Sequence, residues 1–230
     1  MLDGDGTVYD TLDHAAIAAF QAVNHLGVEV TIDEVHDAFA AEGFPGALKV
    51  LSPTRDSTEL KSAFYHFDVE NGFDTVELFP GAEDNLVDLK KRGIALGLVT
   101  SRNKETTESI LDRLNLGGVF DAIITADDAG QPKPSPESVY RALAVVGGNP
   151  DSTVYMGDTV DDIRTAQNAE LAASIGFTAG FTSAERLHAA GADFTLGHWS
   201  ELPGRLLQCD VINFPRKSDY SNGKGISPRD

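Results

Sequence analysis

The sequence predicts an α/β protein in which a parallel sheet with crossover helices is interrupted, near its start, by a helical insertion. Three observations carry this. From residue 80 onward, short apolar runs alternate with amphipathic stretches, which is the pattern of repeated βα winding. Residues 11–78 instead hold helical periodicity with no convincing strand alternation. A length of 230 residues with 41% apolar content suits one such domain carrying a modest insertion.

Each element follows from local signals. In the insertion, Leu12, Ala16, Phe20 and Val23 share one face of a helix running to about Leu26. Two further helices are announced by Thr31-x-x-Glu34 and Asp56-x-x-Glu59, both read as capping boxes. Pro80 opens the next helix, with Leu86 and Leu89 on one face and Gly93 at its end. Ile94–Thr100 reads as a buried strand, and Asn103 caps a helix that carries Ile110, Leu111 and Leu114 before Gly117 and Gly118. Strands then follow at Ala122–Thr125, Thr153–Met156, Leu171–Ile175 and Asp193–Leu196. Helices lie between and after them at Pro136–Val146, Asp161–Ala169 and Ser200–Leu207. The last 22 residues, 209–230, are polar apart from Val211–Phe214 and read as a disordered tail.

Charge and composition exclude several function classes. The 18 basic residues against 36 acidic ones leave a net charge of −18, which opposes phosphate backbones and anionic lipid, so no nucleic acid partner is expected. Apolar runs such as Ile94–Val99 are far too short to span a bilayer, so no membrane association is expected either. Met1-Leu2-Asp3-Gly4-Asp5 lacks a basic region and an apolar signal core, and Cys209 has no second cysteine to pair with. A cytoplasmic protein is the expectation.

Four separated segments place acidic, hydroxylic and basic residues where strands are expected to end, and open α/β sheets build their sites at those carboxyl ends. They are Asp3-Gly4-Asp5-Gly6-Thr7, Thr100-Ser101, Lys133-Pro134-Ser135-Pro136 and Gly157-Asp158-Thr159-Val160-Asp161-Asp162. Alone, each has a plainer reading: a turn, a β-branched strand end, a solvated lysine, and acids at a helix N-terminus. Together they bring Asp3, Asp5, Asp158 and Asp162 to one sheet edge, where they repel one another without a cation. Hard oxygen ligands with no His or Cys among them suit Mg²⁺. The six histidines, His14, His25, His36, His66, His188 and His198, show no metal-ligand spacing. No Ser/His/Asp pattern and no Walker loop is present.

In order and spacing these four segments resemble the motifs of the haloacid dehalogenase superfamily, over about residues 1–207. The resemblance implies a Rossmann-like core formed by residues 1–10 and 79–208, with an inserted α-helical cap at 11–78 like that of phosphoglycolate phosphatase-like members. It implies a Mg²⁺-dependent phosphatase acting on a small-molecule phosphate ester. Asp3 would form an aspartyl-phosphate, and Asp5 would protonate the leaving alkoxide and later deprotonate water. Thr100 and Ser101 would bind phosphoryl oxygens, and Lys133 would neutralise the phosphoryl group and Asp3. The metal would be held by the carboxylates of Asp3 and Asp158 and the Asp5 carbonyl, with Asp162 supporting through water. A cap would select the leaving group, with the turn at residues 43–46 and Lys49, Arg55 and His66 as candidates.

Two other activities stand beside this one: a β-phosphoglucomutase-like phosphotransferase using the same nucleophile, and a noncatalytic phosphate-binding protein. The second is motivated by a departure from the family pattern. Only Met1 and Leu2 precede Asp3, where a whole apolar strand is expected, so the sequence reads as a truncated form of a longer gene product with the central slot of its sheet largely vacant. Val211–Phe214 is the one apolar run of the tail that could enter that slot.

Overall fold

The structure is a computed structural model that describes residues 1–44 and 46–209. Its centre is a parallel sheet. β3 (Gly97–Val99) pairs with β4 (Ala122–Ile124), and β5 (Val154–Gly157) pairs with β6 (Ala173–Phe177), which pairs with β7 (Phe194–Leu196). These two halves are joined through Leu2, which bridges in parallel to Leu98 on one side and Met156 on the other. The sequence-based bounds shift by a residue or two at most strands. The largest change is the first: Ile94–Thr100 shortens to Gly97–Val99, and residues 94–96 flank a cavity of about 410 Å³ instead.

The central slot is therefore occupied, though briefly. Leu2 N donates to the Gly97 carbonyl at 2.8 Å, Asp3 N to the Met156 carbonyl at 2.9 Å, and Val99 N to the Leu2 carbonyl at 2.9 Å. The terminal ammonium of Met1 donates to the Val154 carbonyl at 2.7 Å, and burial pushes its pKa down to about 5. The apolar side chains of Ile94, Leu96, Val154, Leu202 and Leu206 line the cavity with Met1. Three residues with hydrogen bonds on both sides hold Asp3 in place, which corrects the expectation of a largely vacant central slot. The suggestion that Val211–Phe214 enters the slot lies outside the described residues, as does the expected disorder of residues 210–230.

The sheet is covered by helices whose apolar stripes match its faces. These are α5 (Ala82–Lys91), α6 (Lys104–Arg113), α7 (Glu137–Val146), α8 (Val160–Asn168), α9 (Ala184–Ala189) and α10 (Leu202–Gln208). Leu86, Ile110 and Leu202 pack with Leu98, Met156 and Ile175 in one core; Val139 and Ala142 pack with Val99 and Tyr155 in another. Each large aliphatic side chain so buried contributes about 1.5–3 kcal/mol. Gly93 ends α5 at φ +75°, as its position suggests, whereas the left-handed residue after α6 is Asn115 (φ 56°) and not Gly117. Asparagine tolerates that region because its short polar side chain bonds locally.

Residues 12–70 form a separate helical layer of α1 (Leu12–His25), α2 (Ile32–Glu42), α3 (Gly46–Leu51) and α4 (Ser57–Glu70). Its core is its own: Ala15, Ala18, Ala19 and Ala22 of α1 let α4 approach closely, with Phe39, Leu48, Leu60 and Phe64 filling the space between helices. Thr31 and Glu34 make both halves of a capping box. Asp56 caps α4 through Thr58 and Glu59 N–H, but the reciprocal half is missing, because Glu59 faces Arg55 at 3.7 Å. The chain enters and leaves this layer through a short antiparallel pair that the alternation pattern did not reveal, β1 (Tyr9–Asp10) and β2 (Glu77–Leu78).

Candidate active site

The carboxyl ends of the central strands carry the site. Asp3 ends the three-residue central segment, Thr100 follows β3, Asp158 follows β5, and Asp162 lies in the first turn of α8. Asp3, Asp158 and Asp162 are all buried, and one carboxylate oxygen of each lies within 4.8 Å of the others. Lys133 arrives from the loop before α7, where its Nζ donates to Asp3 Oδ1 at 2.8 Å and to Asp162 Oδ1 at 2.6 Å.

Local chemistry fixes each group. Gly6, at φ +66°, turns the chain where any Cβ would sit 2.3 Å from Asp158 Oδ2. That turn brings Thr7 round so that its hydroxyl donates to Asp158 Oδ1 at 3.0 Å, while Phe181 N–H donates to Asp158 Oδ2 at 2.7 Å. Gly157 leaves room for Asp162, whose Cγ a Cβ there would meet at 2.4 Å. Asp162 completes a capping box with Thr159, its Oδ2 accepting the Thr159 hydroxyl at 2.6 Å and N–H at 3.0 Å, and Oδ1 accepts from Tyr155 Oη at 3.2 Å as well as from Lys133. Asp162 is thus committed on both oxygens, and its evident work is to aim Lys133.

The charges do not balance. Three buried carboxylates face one ammonium. Burial and the Asp162 carboxylate push Asp3 up to about 7 despite Lys133. Burial, Asp3 and Asp162 push Asp158 well above the carboxylate range against the bonds from Phe181 and Thr7. Burial works against the charge on Lys133, but Asp162 and Asp3 hold it well above its usual value. Oxygen donors, excess negative charge and raised carboxylate pKa values fit a hard divalent cation bound by Asp3 and Asp158.

Of the remaining sequence-predicted residues, Thr100 is buried and its hydroxyl accepts the Arg102 N–H at 3.1 Å, whereas Ser101 is exposed. Asp5 is gripped by Arg102, whose Nε donates to both its oxygens at 2.8 and 2.9 Å. Thr11 adds a hydroxyl bond to Asp5 at 2.9 Å. Arg102 was missed by the sequence reading because a single arginine three residues past a strand has no distinguishing pattern. His14 and Asp68, which join this network, were also missed, since 54 residues separate them.

The suggested specificity side chains do not gather at the site. Lys49 donates to the Arg55 carbonyl, Arg55 bonds the Leu26 carbonyl, and His66 is exposed beside Glu70. Those are contacts within the helical layer. Of the turn at 43–46, Phe44 packs on Phe64 with ring centroids 4.6 Å apart, and Pro45 lies outside the described residues. The helical layer touches the acidic site through Phe181 instead, whose N–H holds Asp158 while its ring meets Phe39 edge-on at 5.7 Å.

Comparison with known proteins agrees with this architecture. Residues 1–175 match the family model of haloacid dehalogenase-like hydrolases. The chain is 28% identical over 214 residues to a phosphoglycolate phosphatase of Aquifex aeolicus, covering 93% of this chain and 98% of that protein. It is 32% identical over 145 residues to the pyrophosphatase PpaX of Bacillus velezensis, covering 63% of this chain and 66% of that one. In fold it is similar to a haloacid dehalogenase-like family hydrolase from Streptococcus pneumoniae (TM-score 0.74, 20% identity, 89% and 95% coverage). The chain belongs to the haloacid dehalogenase-like hydrolases.

Proposed function

We propose that the protein is a Mg²⁺-dependent phosphatase that hydrolyses a small phosphomonoester through an aspartyl-phosphate. The observation that carries this is the buried cluster itself: Asp3, Asp158 and Asp162 within 4.8 Å, opposed by Lys133. The relatives named phosphoglycolate phosphatase and pyrophosphatase support the same chemistry.

The Asp3 and Asp158 carboxylates and the Asp5 carbonyl would hold the cation, which supplies charge neutralisation for the approach of a phosphate dianion to a carboxylate. The chain's own groups do the rest. Lys133 holds Asp3 Oδ1, which leaves Oδ2 to attack phosphorus. As the new O–P bond forms and the ester O–P bond breaks, the proton on Asp5 passes to the leaving oxygen. Thr100 and the N–H that follows it steady the phosphoryl oxygens. Water then attacks the aspartyl-phosphate, gives its proton to Asp5 and releases inorganic phosphate, returning Asp3 to a carboxylate. The helical layer acts as a cap over the leaving group, excluding bulk water during the first step.

Phosphate release from p-nitrophenyl phosphate with and without Mg²⁺ tests this. Wild type is expected to turn over only with the metal, and Asp3→Asn to lose roughly 10⁴-fold or more in kcat, as nucleophile removals do. Metal-independent release, or an active Asp3→Asn, would overturn the proposal. Transfer of phosphate to a second sugar hydroxyl in place of water would identify a phosphotransferase instead.

A further inference from the structure

The second charged cluster of the molecule lies where the two layers join. Arg102, almost fully buried, presents Nε to both oxygens of Asp5, Nη1 to Asp68 Oδ2 at 2.5 Å and Nη2 to Asp68 Oδ1 at 3.2 Å. His14 Nε2 lies 3.0 Å from Asp68 Oδ1 and 3.1 Å from the Asp68 carbonyl oxygen. The ring of Phe73 lies 5.2 Å from the guanidinium and 5.1 Å from the imidazole. Burial works against the charge on Arg102, but Asp5 and Asp68 keep it a cation.

Position gives this cluster its meaning. His14 is in the first turn of α1, Asp68 is in the last turn of α4, and Phe73 is in the return crossing, so the cluster spans both passages between the helical layer and the core. Arg102 and Asp5 belong to the core. Asp68 is 1% exposed, and Asp5, at 21%, is the most open carboxylate of the network. The guanidinium is a rigid planar fork, so a shift of the edge that Asp68 grips carries the Nε edge with it.

We propose that Arg102 is a positioning residue: it sets the Asp5 carboxylate and, through Asp68 and His14, makes that setting depend on how the helical layer sits on the core. This rests on the phosphatase reading, in which Asp5 takes the proton of the attacking water. Asp68 touches no reacting atom, yet it governs the rate, because a catalytic group displaced by about 1 Å loses on the order of 100-fold. With both oxygens accepting from Arg102, Asp5 is held as the carboxylate that takes the proton of the attacking water, so hydrolysis of the aspartyl-phosphate runs efficiently only when the layer is docked.

The test uses the full chain with p-nitrophenyl phosphate and Mg²⁺, together with amide hydrogen exchange. Asp68→Asn is expected to lower kcat about 10- to 100-fold with KM changed less than about threefold. Arg102→Lys keeps the charge without the fork and is expected to lose a similar factor. In an Arg102→Gln background Asp68→Asn should add nothing further, since the two act as one unit. Exchange in Asp68→Asn should rise across residues 4–11 of the core as well as across 64–76. Unchanged kcat, multiplicative losses, or exchange confined to 64–76 would overturn the proposal. Should wild type and Asp3→Asn both prove inactive, the phosphatase reading falls and the exchange pattern alone decides the coupling.

Discussion

The two buried charge clusters are built from the same residue types and solve opposite problems. Around Lys133, three carboxylates share one ammonium, and Asp3 and Asp158 sit above their ordinary pKa. Around Arg102, two carboxylates share one guanidinium whose five donors are largely used, and His14 and Phe73 close the remaining sides. Burial holds Asp68 up, but the bonds from His14 and Arg102 outweigh it and leave it below the usual range. One cluster is short of positive charge and suits a cation from outside; the other is complete. The clusters differ in the cation each holds and in the donors that reach each carboxylate.

The sharpest way to break this contrast is to remove Lys133. In Lys133→Met, Asp3 and Asp162 lose the ammonium bonded to both, and leaving a buried charge uncompensated costs about 3–5 kcal/mol. Urea denaturation without metal should show that loss, and Mg²⁺ should restore part of it. A loss below about 1 kcal/mol would mean that the cluster relaxes into solvent and is not the strained site described here.

The metal itself should sharpen the contrast through pH. Asp3 and Asp158 bind protons more tightly folded than unfolded, so in the metal-free protein the stability this pair contributes is fully present below the unfolded carboxylate pKa. That contribution is lost as pH rises from about 4, the ordinary carboxylate value, toward the folded value of about 7 for Asp3. Mg²⁺ displaces those protons, so its stabilisation grows over the same window. At a hundredfold excess over the dissociation constant it reaches about 2.7 kcal/mol. Thermal melts at pH 5 and pH 8 with and without Mg²⁺ should show the larger rise at pH 8; equal shifts would rule out a site shared by metal and proton.

The smallest effect is expected away from both clusters. His66 is exposed on α4 next to Glu70, and His66→Ala should change stability by less than about 0.5 kcal/mol and leave KM as it is. A raised KM would return His66 to the leaving-group pocket from which the structure removes it.

The order of the elements was legible from local patterns. Helices appeared at 3.6-residue spacing with Thr31, Asp56 and Asn103 at their starts, and β5 and β6 as short apolar runs within two residues of their observed bounds. Asp3, Lys133 and Asp158 stood out only as parts of four segments whose order and spacing resemble a family's motifs, since each alone had a plainer reading, and the structure brings the three together. Ile94–Leu96 misled, since an apolar run reads as strand whether or not a neighbour is there to pair with it.

Periodicity, capping and turn chemistry are properties of adjacent residues, so the chain alone indicates most of the segments that become helix or strand. Donor counts are a property of distance in space. That Asp162 spends both oxygens on Lys133, Tyr155 and Thr159, and that Arg102 joins Asp5 to Asp68 across 97 and 34 residues, emerged only in the folded molecule. A side chain's partners across the fold leave no periodic trace in the sequence, whereas the energetic value of a buried charge depends on them entirely.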